Sequence, residues 1–292
     1  MTIGALRAAG VKLLQQHGVE SPELDASLLL ANLFHQDRTW LILNKQTLCE
    51  PHLIETYYGM LEQRVSGDSV AYITGLKEFM GLTFSVNKNV LVPRPDTELL
   101  VEKAMEWIEN QPKHRNTALK VLDVCTGSGC IGISIKYYKP ETEMVLSDIS
   151  TEALEVARMN ATQLLTRDSI NTVHCIESNL LHYFIQHNQT FDLIVSNPPY
   201  VPSMRIPFLS KEVQQEPLLA LDGGLDGLDL IRTLIDQAYQ ILSNRGTIFL
   251  ESEPEQILSI QELLKNLGFH EIESYPDLSG ALRCTRGSKK SL

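Results

Sequence analysis

No stretch of the sequence approaches the roughly 18 consecutive apolar residues of a membrane-spanning helix. Its first residues, MTIGALRAAGVKLLQQHG, hold neither a continuous apolar segment nor a small-residue cleavage site, so no signal peptide is expected. A cytoplasmic protein without a membrane partner is the expectation. Cysteine is scarce: five residues, at 49, 125, 130, 175 and 284, an odd number with no C-x-x-C pair. Zinc ribbons and disulfide frameworks are thereby disfavoured, no metal is expected, and reduced, mostly buried thiols remain. Positive charge is also in short supply, with 25 Lys and Arg against 36 Asp and Glu, a net charge of -11. Such a balance repels phosphate backbones at long range, and no basic stripe interrupts it. The one basic cluster, Arg283, Arg286, Lys289 and Lys290, reads as a solvated, frayed tail. No internal repeat or low-complexity segment is present.

What is there is a chain of 292 residues, 43% hydrophobic, enough to bury a core without disulfides or metal. At roughly 100–200 residues per domain it suggests one large or two unequal domains. Residues 1–75 read as helical. Ile3, Leu6, Leu13 and Leu14 follow a helical period, Ser21-Pro22-Glu23 is a helix start with Ser as N-cap, and Pro51 opens a helix to about Val65. Residues 76–95 change character. EFMGLTFSV and NVLV are strand-like, and Asn87-Lys88-Asn89 supplies turn residues, which predicts a β-hairpin linking two domains. From 96 to 292 strands alternate with helices. Strands are expected at 119–124, 143–147, 172–176, 191–196 and 246–251, and helices at 96–109, 130–138, 151–165, 226–242 and 254–267. A polar linker, QPKHRNTA, follows the first of these helices. Two last strands, near 269–275 and 281–286, are close enough to pair as an antiparallel edge. The pattern predicts an α/β fold: a doubly wound, mostly parallel sheet.

The first strand of that sheet runs into Asp123-Val124-Cys125-Thr126-Gly127-Ser128-Gly129, and Gly127, Gly129 and Gly132 satisfy G-x-G-x-x-G. Glycines here permit a tight turn and let a ligand approach the backbone. Asp148, closing the second strand about 20 residues on, can accept both hydroxyls of an adenosine ribose. The constellation fits either a dinucleotide such as NAD or S-adenosylmethionine. Asp123 favours the second, because an acid there can orient the turn and face an ammonium, but would repel a pyrophosphate.

The fourth strand ends in Ser196-Asn197-Pro198-Pro199-Tyr200, and ligands of open α/β sheets bind beyond the carboxyl ends of strands. Two prolines fix this backbone and supply no N–H. An amide or exocyclic amine nitrogen is a weak nucleophile, its lone pair delocalised. Hydrogen bonds from its N–H groups to the Asn197 side-chain oxygen and the Pro198 carbonyl would polarise it and aim it. Tyr200 can stack on a planar acceptor. Positioning of this kind carries much of catalysis when the leaving group is already good. The bland alternative is a rigid Pro-Pro turn capped by Asn. Preceded by a glycine loop and Asp148 at the right interval, the segment reads as a methyl-transfer loop.

With these residues in hand, the sequence resembles the release factor glutamine methyltransferase family, also called the HemK or PrmC family. The likeness runs through Tyr72-Ile73-Thr74-Gly75, Glu78-Phe79-Met80-Gly81-Leu82 and Val90-Leu91-Val92-Pro93-Arg94-Pro95-Asp96-Thr97-Glu98. It continues through the glycine loop, Asp148 and NPPY to Glu216-Pro217, Ala220-Leu221 and Gly224-Leu225-Asp226-Gly227-Leu228. The resemblance implies a class I methyltransferase sheet that takes S-adenosylmethionine, releases S-adenosylhomocysteine, and methylates N5 of the GGQ glutamine of class I peptide chain release factors. It implies that the helical domain grips the release factor and that PRPDTE helps close the cofactor pocket. Carried over residue by residue, Asn197, Pro198 and Tyr200 would be catalytic. Arg94, Thr97, Asp123, Cys125, Thr126, Gly127, Ser128, Gly129, Asp148, Asn179, Leu180 and Asn197 would hold the cofactor. Asn197, Pro198, Pro199 and Tyr200 would hold the substrate. Taken alone, Arg94 also reads as an ion-pair partner of Asp96 or Glu98. The sequence departs from the family twice: Asn179 stands where Asp is usual, and Glu251-Ser252-Glu253 replaces Glu-x-Gly. The chain is expected to act as a monomer, with no direct nucleic-acid partner. The remaining alternatives are a ribosomal-protein glutamine methyltransferase, an N-methyltransferase acting on a nucleic-acid base, a non-catalytic nucleotide-dependent binding protein, and an NAD dehydrogenase. The last has no hydride-transfer constellation and leaves NPPY unexplained.

Overall fold

In a computed structural model, residues 1–112 and 117–291 are described. The polar linker expected at 111–118 lies partly outside them. The chain forms two compact units: Met1–Leu76 with Ser210–Gln215, and Lys77–Leu209 with Glu216–Leu292.

The first unit is helical: α1 (Ile3–Gln16), α2 (Pro22–Leu33), α3 (Arg38–Leu43), α4 (Pro51–Ser66) and α5 (Val70–Thr74). Leu6, Leu14, Leu29, Leu30, Tyr57 and Leu61 are fully buried at its centre. Gly10 is required there, because a Cβ would stand 2.3 Å from the Tyr57 hydroxyl. Pro22 opens α2 and Ser21 occupies its N-cap, as its sequence predicts, but the Ser21 side chain makes no capping hydrogen bond. Arg64 is buried and donates to Asp25 at 2.8 Å, and also pairs with Glu212.

In the second unit β1 (Leu76–Phe79) and β2 (Leu82–Ser85) form the hairpin. Its turn is not at Asn87–Asn89, as composition suggested, but at Met80-Gly81, with φ of 51° and 69°. Both residues are left-handed, as the favoured two-residue hairpin turn requires. Val90–Val92 is not a strand. The helices of this unit are α6 (Glu98–Glu109), α7 (Cys130–Tyr138), α8 (Thr151–Leu164), α9 (Arg167–Ile170), α10 (His182–Gln186), α12 (Asp229–Ile241) and α13 (Ile257–Asn266). The short α11 (Lys211–Gln214) belongs to the first unit. A seven-stranded sheet is built from β3 (Lys120–Val124), β4 (Glu143–Asp148), β5 (Val173–Glu177), β6 (Phe191–Ser196), β7 (Leu242–Glu251), β8 (His270–Pro276) and β9 (Leu282–Ser288). Their spatial order is β5-β4-β3-β6-β7-β9-β8. The first five strands run parallel, and β9 pairs antiparallel with both β7 and β8.

Strand alternation feeds two cores. Val121, Leu193, Val195 and Phe249 face one, with α6 and α7; Leu122, Val124, Ile194, Ile248 and Leu250 face the other, with α12 and α13. A sheet covered on both faces explains why the strands read as continuous apolar runs. Parallel register sets Val124 level with Ser147 and with Ser196, and Ser196 level with Leu250. The carboxyl ends of β3, β4, β6 and β7 therefore gather at one edge. Three of the four basic residues read as a frayed tail are instead tied to the sheet or its flank, and only Lys290 is exposed beyond it. Arg283 and Arg286 lie on β9 beside Asp277 and Glu273, and the Lys289 ammonium donates to the Tyr239 and Leu242 carbonyls.

Candidate methyl-transfer site

β3 delivers Asp123 fully buried at its end. One carboxylate oxygen accepts from the Thr126 hydroxyl at 2.6 Å and from the Gly132 N–H at 2.9 Å, while Oδ1 has no partner among the described residues. Asp123 thus shapes the glycine turn from behind. It does not line the cavity described below. Burial is the main cause that raises its pKa, to about 7. Gly132 packs α7 on the sheet: a Cβ there would stand 2.3 Å from Leu146 and 3.0 Å from Asp123. Cys125, Gly127 and Gly129 all adopt positive φ, at 58°, 54° and 82°. A Cβ on Gly127 would meet nothing within 4 Å, so this glycine serves the turn and leaves its backbone open.

Asp148 ends β4 and lies half-buried. It accepts from the Gly127 N–H at 2.9 Å and from the Ser150 N–H at 3.0 Å, and burial raises its pKa. Asn160, which sequence reasoning missed, is fully buried on α8. Its amide donates to the Ser85 and Ser128 carbonyls and accepts from the Ser85 N–H, tying the β2 strand to the glycine loop. No local signal marks such a residue.

These loops open onto a cavity with about 1050 Å³ free of protein atoms, part of it continuous with solvent. Cys125, Thr126, Gly127, Ser128 and Asp148 line one side; Asn179 and Leu180 another; Arg94, Thr97, Asn197 and Pro199 a third. Of the residues singled out by sequence, Asp123, Gly129, Pro198 and Tyr200 stand off the wall. Leu180 is held at a φ of 48°, and the Asn179 carbonyl accepts from the His182 N–H at 3.2 Å. Arg94 pairs with neither Asp96 nor Glu98. Its partner is the buried Glu216, whose other oxygen accepts from the Val92 N–H, so the PRPDTE segment is tied to Glu216-Pro217. Glu98 instead accepts from the Met80 N–H at 2.7 Å.

The NPPY loop is held from below. Asn197 donates through Nδ2 to the Thr97 hydroxyl at 3.2 Å, and among the described residues no donor reaches its side-chain oxygen. Tyr200 packs against the core beneath the loop, and its hydroxyl donates to Glu251 at 3.3 Å. That contact braces the Tyr200 ring from its hydroxyl end. Glu251, at the end of β7, is fully buried. Burial raises its pKa to about 7, against the lowering effect of the Thr97 and Tyr200 hydroxyls. The Gln256 amide donates to the Tyr200 carbonyl at 2.9 Å, and Val201 bridges to Asp222. Gly223 and Gly227 press against the loop backbone: a Cβ on either would stand 2.8 Å from the Pro199 carbonyl or 2.2 Å from the Tyr200 carbonyl, respectively. Glu251, Gln256, Gly223 and Gly227 had no assigned part in the sequence reading of this site. For Gly227 the likeness to the family motif was the only available signal.

Comparison with known proteins adds independent findings. Residues 5–75 match the PrmC N-terminal domain, and residues 97–212 match the methyltransferase small domain. The chain is 38% identical to the release factor glutamine methyltransferase of Clostridium acetobutylicum, over 87% of each chain. It is 39% identical to that of Leptospira interrogans, over 93% of each. With the enzyme of that name from Clostridium botulinum it shares 34% identity, over 99% of this chain and 100% of the other. Among solved structures, a methyltransferase from Pyrococcus furiosus aligns with a TM-score of 0.50 at 17% identity, over 80% of this chain and 99% of the other. A human methyltransferase 10 domain containing protein aligns at 0.52 and 13%, over 73% and 89%. These two likenesses support the fold alone.

Proposed function

The chain belongs to the release factor glutamine methyltransferase family, and from that premise we propose that it transfers a methyl group from S-adenosylmethionine to N5 of the GGQ glutamine of class I release factors. The observation that carries the reading is the Asn197 carboxamide. It stands on the cavity wall with its nitrogen engaged by Thr97 and its oxygen free to accept.

The residues present fit the cofactor. Asp148 offers a half-buried carboxylate with lone pairs to spare for two ribose hydroxyls, and the open Gly127 backbone allows close approach. The Asn179 side chain can accept from an adenine amine as an aspartate would. Asp123 acts behind these groups, fixing the loop through Thr126 and Gly132. When bound, S-adenosylmethionine supplies an electrophilic methyl on a sulfonium, an excellent leaving group. The Asn197 oxygen, on the cavity wall, would accept from one glutamine N–H, and the Pro198 carbonyl, although its residue does not line this cavity, from the other, turning the nitrogen toward that methyl. Pro199 forms the adjoining wall. Because both prolines lack N–H and the loop is braced by Gln256 and Glu251, little ordering is left for the moment of reaction.

The proposal also divides the chain by role. Residues 1–75 grip the release factor, 76–95 link, and 96–292 carry the chemistry, as a monomer in the cytoplasm. No described helix is long and apolar enough to cross a membrane. The test is transfer of labelled methyl from S-adenosylmethionine to purified release factor, ribosomal protein, tRNA or DNA. Label is expected on release factor. Label confined to ribosomal protein or nucleic acid would overturn the assignment.

A further inference from the structure

Gly129 adopts a φ of 82°, and a Cβ there would stand 2.5 Å from Ile133 and 3.2 Å from Ala157 on α8, so backbone and packing both call for glycine. That requirement brings a weakness. Glycine takes positive and negative φ with similar ease, so the Ser128–Gly129 peptide could turn over at little torsional cost. Ser128 lines the cavity, and the orientation of this peptide sets where it stands. Both ends of the peptide are pinned. The Gly129 N–H donates to the Thr126 carbonyl at 2.8 Å, and the Ser128 carbonyl accepts from the Asn160 amide at 2.9 Å. The first pin lies within the glycine loop. The second comes from α8, and Asn160 is fully buried and does not line the cavity.

The Asn160 carboxamide can face only one way. Its oxygen accepts from the Ser85 N–H at 2.8 Å, and its nitrogen donates to the Ser85 carbonyl at 3.0 Å as well as to Ser128. Turned over, it would set its NH₂ against an N–H and its oxygen against two carbonyls. Ser85 thus orients the amide that orients the peptide. The hairpin that carries Ser85 is itself fastened at its turn, where the Met80 N–H donates to Glu98 and the Met80 carbonyl accepts from the Tyr138 hydroxyl, each at 2.7 Å.

We propose that Asn160 is a positioning residue for the cofactor, holding the Ser128–Gly129 peptide in its binding orientation against the β1–β2 hairpin. The inference rests on the proposed use of S-adenosylmethionine and makes the hairpin part of the cofactor site. A carboxamide suits the task because one N–H and two carbonyls must be met at once, by a group with no charge to bury. Aspartate has the same shape, but when ionised it turns an anion toward both carbonyls. Alanine leaves the Ser128 carbonyl buried without this donor, and the peptide is then released to turn.

The test is Asn160→Asp in the full chain, with S-adenosylhomocysteine titrated by calorimetry at a temperature where circular dichroism shows the variant folded. At about pH 8 affinity is expected to fall at least about tenfold relative to wild type at the same pH, since the Ser128 carbonyl then faces an anion. At about pH 5 the buried acid is protonated and its O–H can donate, so the deficit should shrink at least about threefold. A merely structural role predicts no such recovery once both proteins are folded. Turnover at saturating S-adenosylmethionine should stay within about threefold of wild type, which puts the defect on the cofactor KM. The Gly129 amide signal in ¹⁵N NMR gives a readout independent of activity. It is expected to move in Asn160→Asp at the higher pH and in Asn160→Ala. Affinity within about twofold of wild type at the higher pH overturns the proposal. So does a deficit equal at both pH values, and so does an unmoved Gly129 signal. If Asn160→Asp does not fold, Asn160→Ala carries the test, and undiminished affinity or an unmoved Gly129 signal in it overturns the proposal. If wild type binds S-adenosylhomocysteine but methylates no release factor, the substrate reading fails while these measurements still decide the role of Asn160.

Discussion

The glycine loop and the NPPY loop face the same cavity, yet they are held in different ways. The first is stabilised mostly by its own sequence neighbourhood and the next strand: Asp123 binds Thr126 and Gly132, and Asp148 binds Gly127 and Ser150. The second is stabilised by residues remote in sequence: Thr97, Gly223, Gly227, Glu251 and Gln256. A cofactor common to many enzymes can be held by a local motif. An acceptor that must be presented at one angle needs a backbone propped from several directions. The comparison predicts that damage to the two loops separates cleanly into lost affinity and lost turnover.

Asn197→Ala should break the acceptor side most. Turnover should fall at least about a hundredfold, because positioning of the nitrogen is lost, while calorimetry should find S-adenosylmethionine affinity within a few-fold of wild type. Gly227→Ala comes next. Its Cβ would collide with the Tyr200 carbonyl at 2.2 Å and its φ of 78° is unfavourable for alanine, so the loop must shift. A fall in turnover on the order of tenfold is expected, again with the cofactor still bound; equal losses in both would blur the distinction between the loops. Asp148→Ala should do the reverse, costing about 1.5–3 kcal/mol of cofactor affinity for lost charge-assisted hydrogen bonds. Unchanged affinity in a titration would remove Asp148 from the ribose.

The smallest effect concerns pH. Asp123 and Glu251 both titrate near 7 in the folded chain, against about 4 in unfolded chains. The folded state then holds extra protons between those values. This contribution to stability is fully present below about pH 4 and is lost as pH rises through about 7. The melting temperature of the free chain should therefore fall between about pH 6 and about 8, and fall less in Glu251→Gln. Equal slopes in thermal melts of the two proteins would show that Glu251 ionises normally.

The same contrast explains what could be read from sequence. The alternation of strands and helices, the class I methyltransferase sheet with its antiparallel edge, and the family were legible, because periodicity and the two loop motifs are local. The hairpin was expected but its turn was misplaced. Asn87-Lys88-Asn89 has turn composition, whereas Met80 takes a left-handed φ that its side chain gives no reason to expect. The basic tail reads as frayed because terminal charge usually is, whereas pairing of β9 between β7 and β8 is a non-local event. The Tyr200 hydroxyl reaches Glu251, a residue whose only sequence signal is a departure from Glu-x-Gly two positions later, so this brace is not legible locally. Arg94 found Glu216, far along the chain, before any neighbour.

The most direct measurement is a structure of the chain with S-adenosylhomocysteine and a GGQ-containing release factor. The Asn197 side-chain oxygen should lie within about 3 Å of the glutamine amide nitrogen, a normal hydrogen bond, with the homocysteine sulfur on the same side of the cavity. A glutamine oxygen in that position, or a sulfur remote from the NPPY loop, would contradict the account.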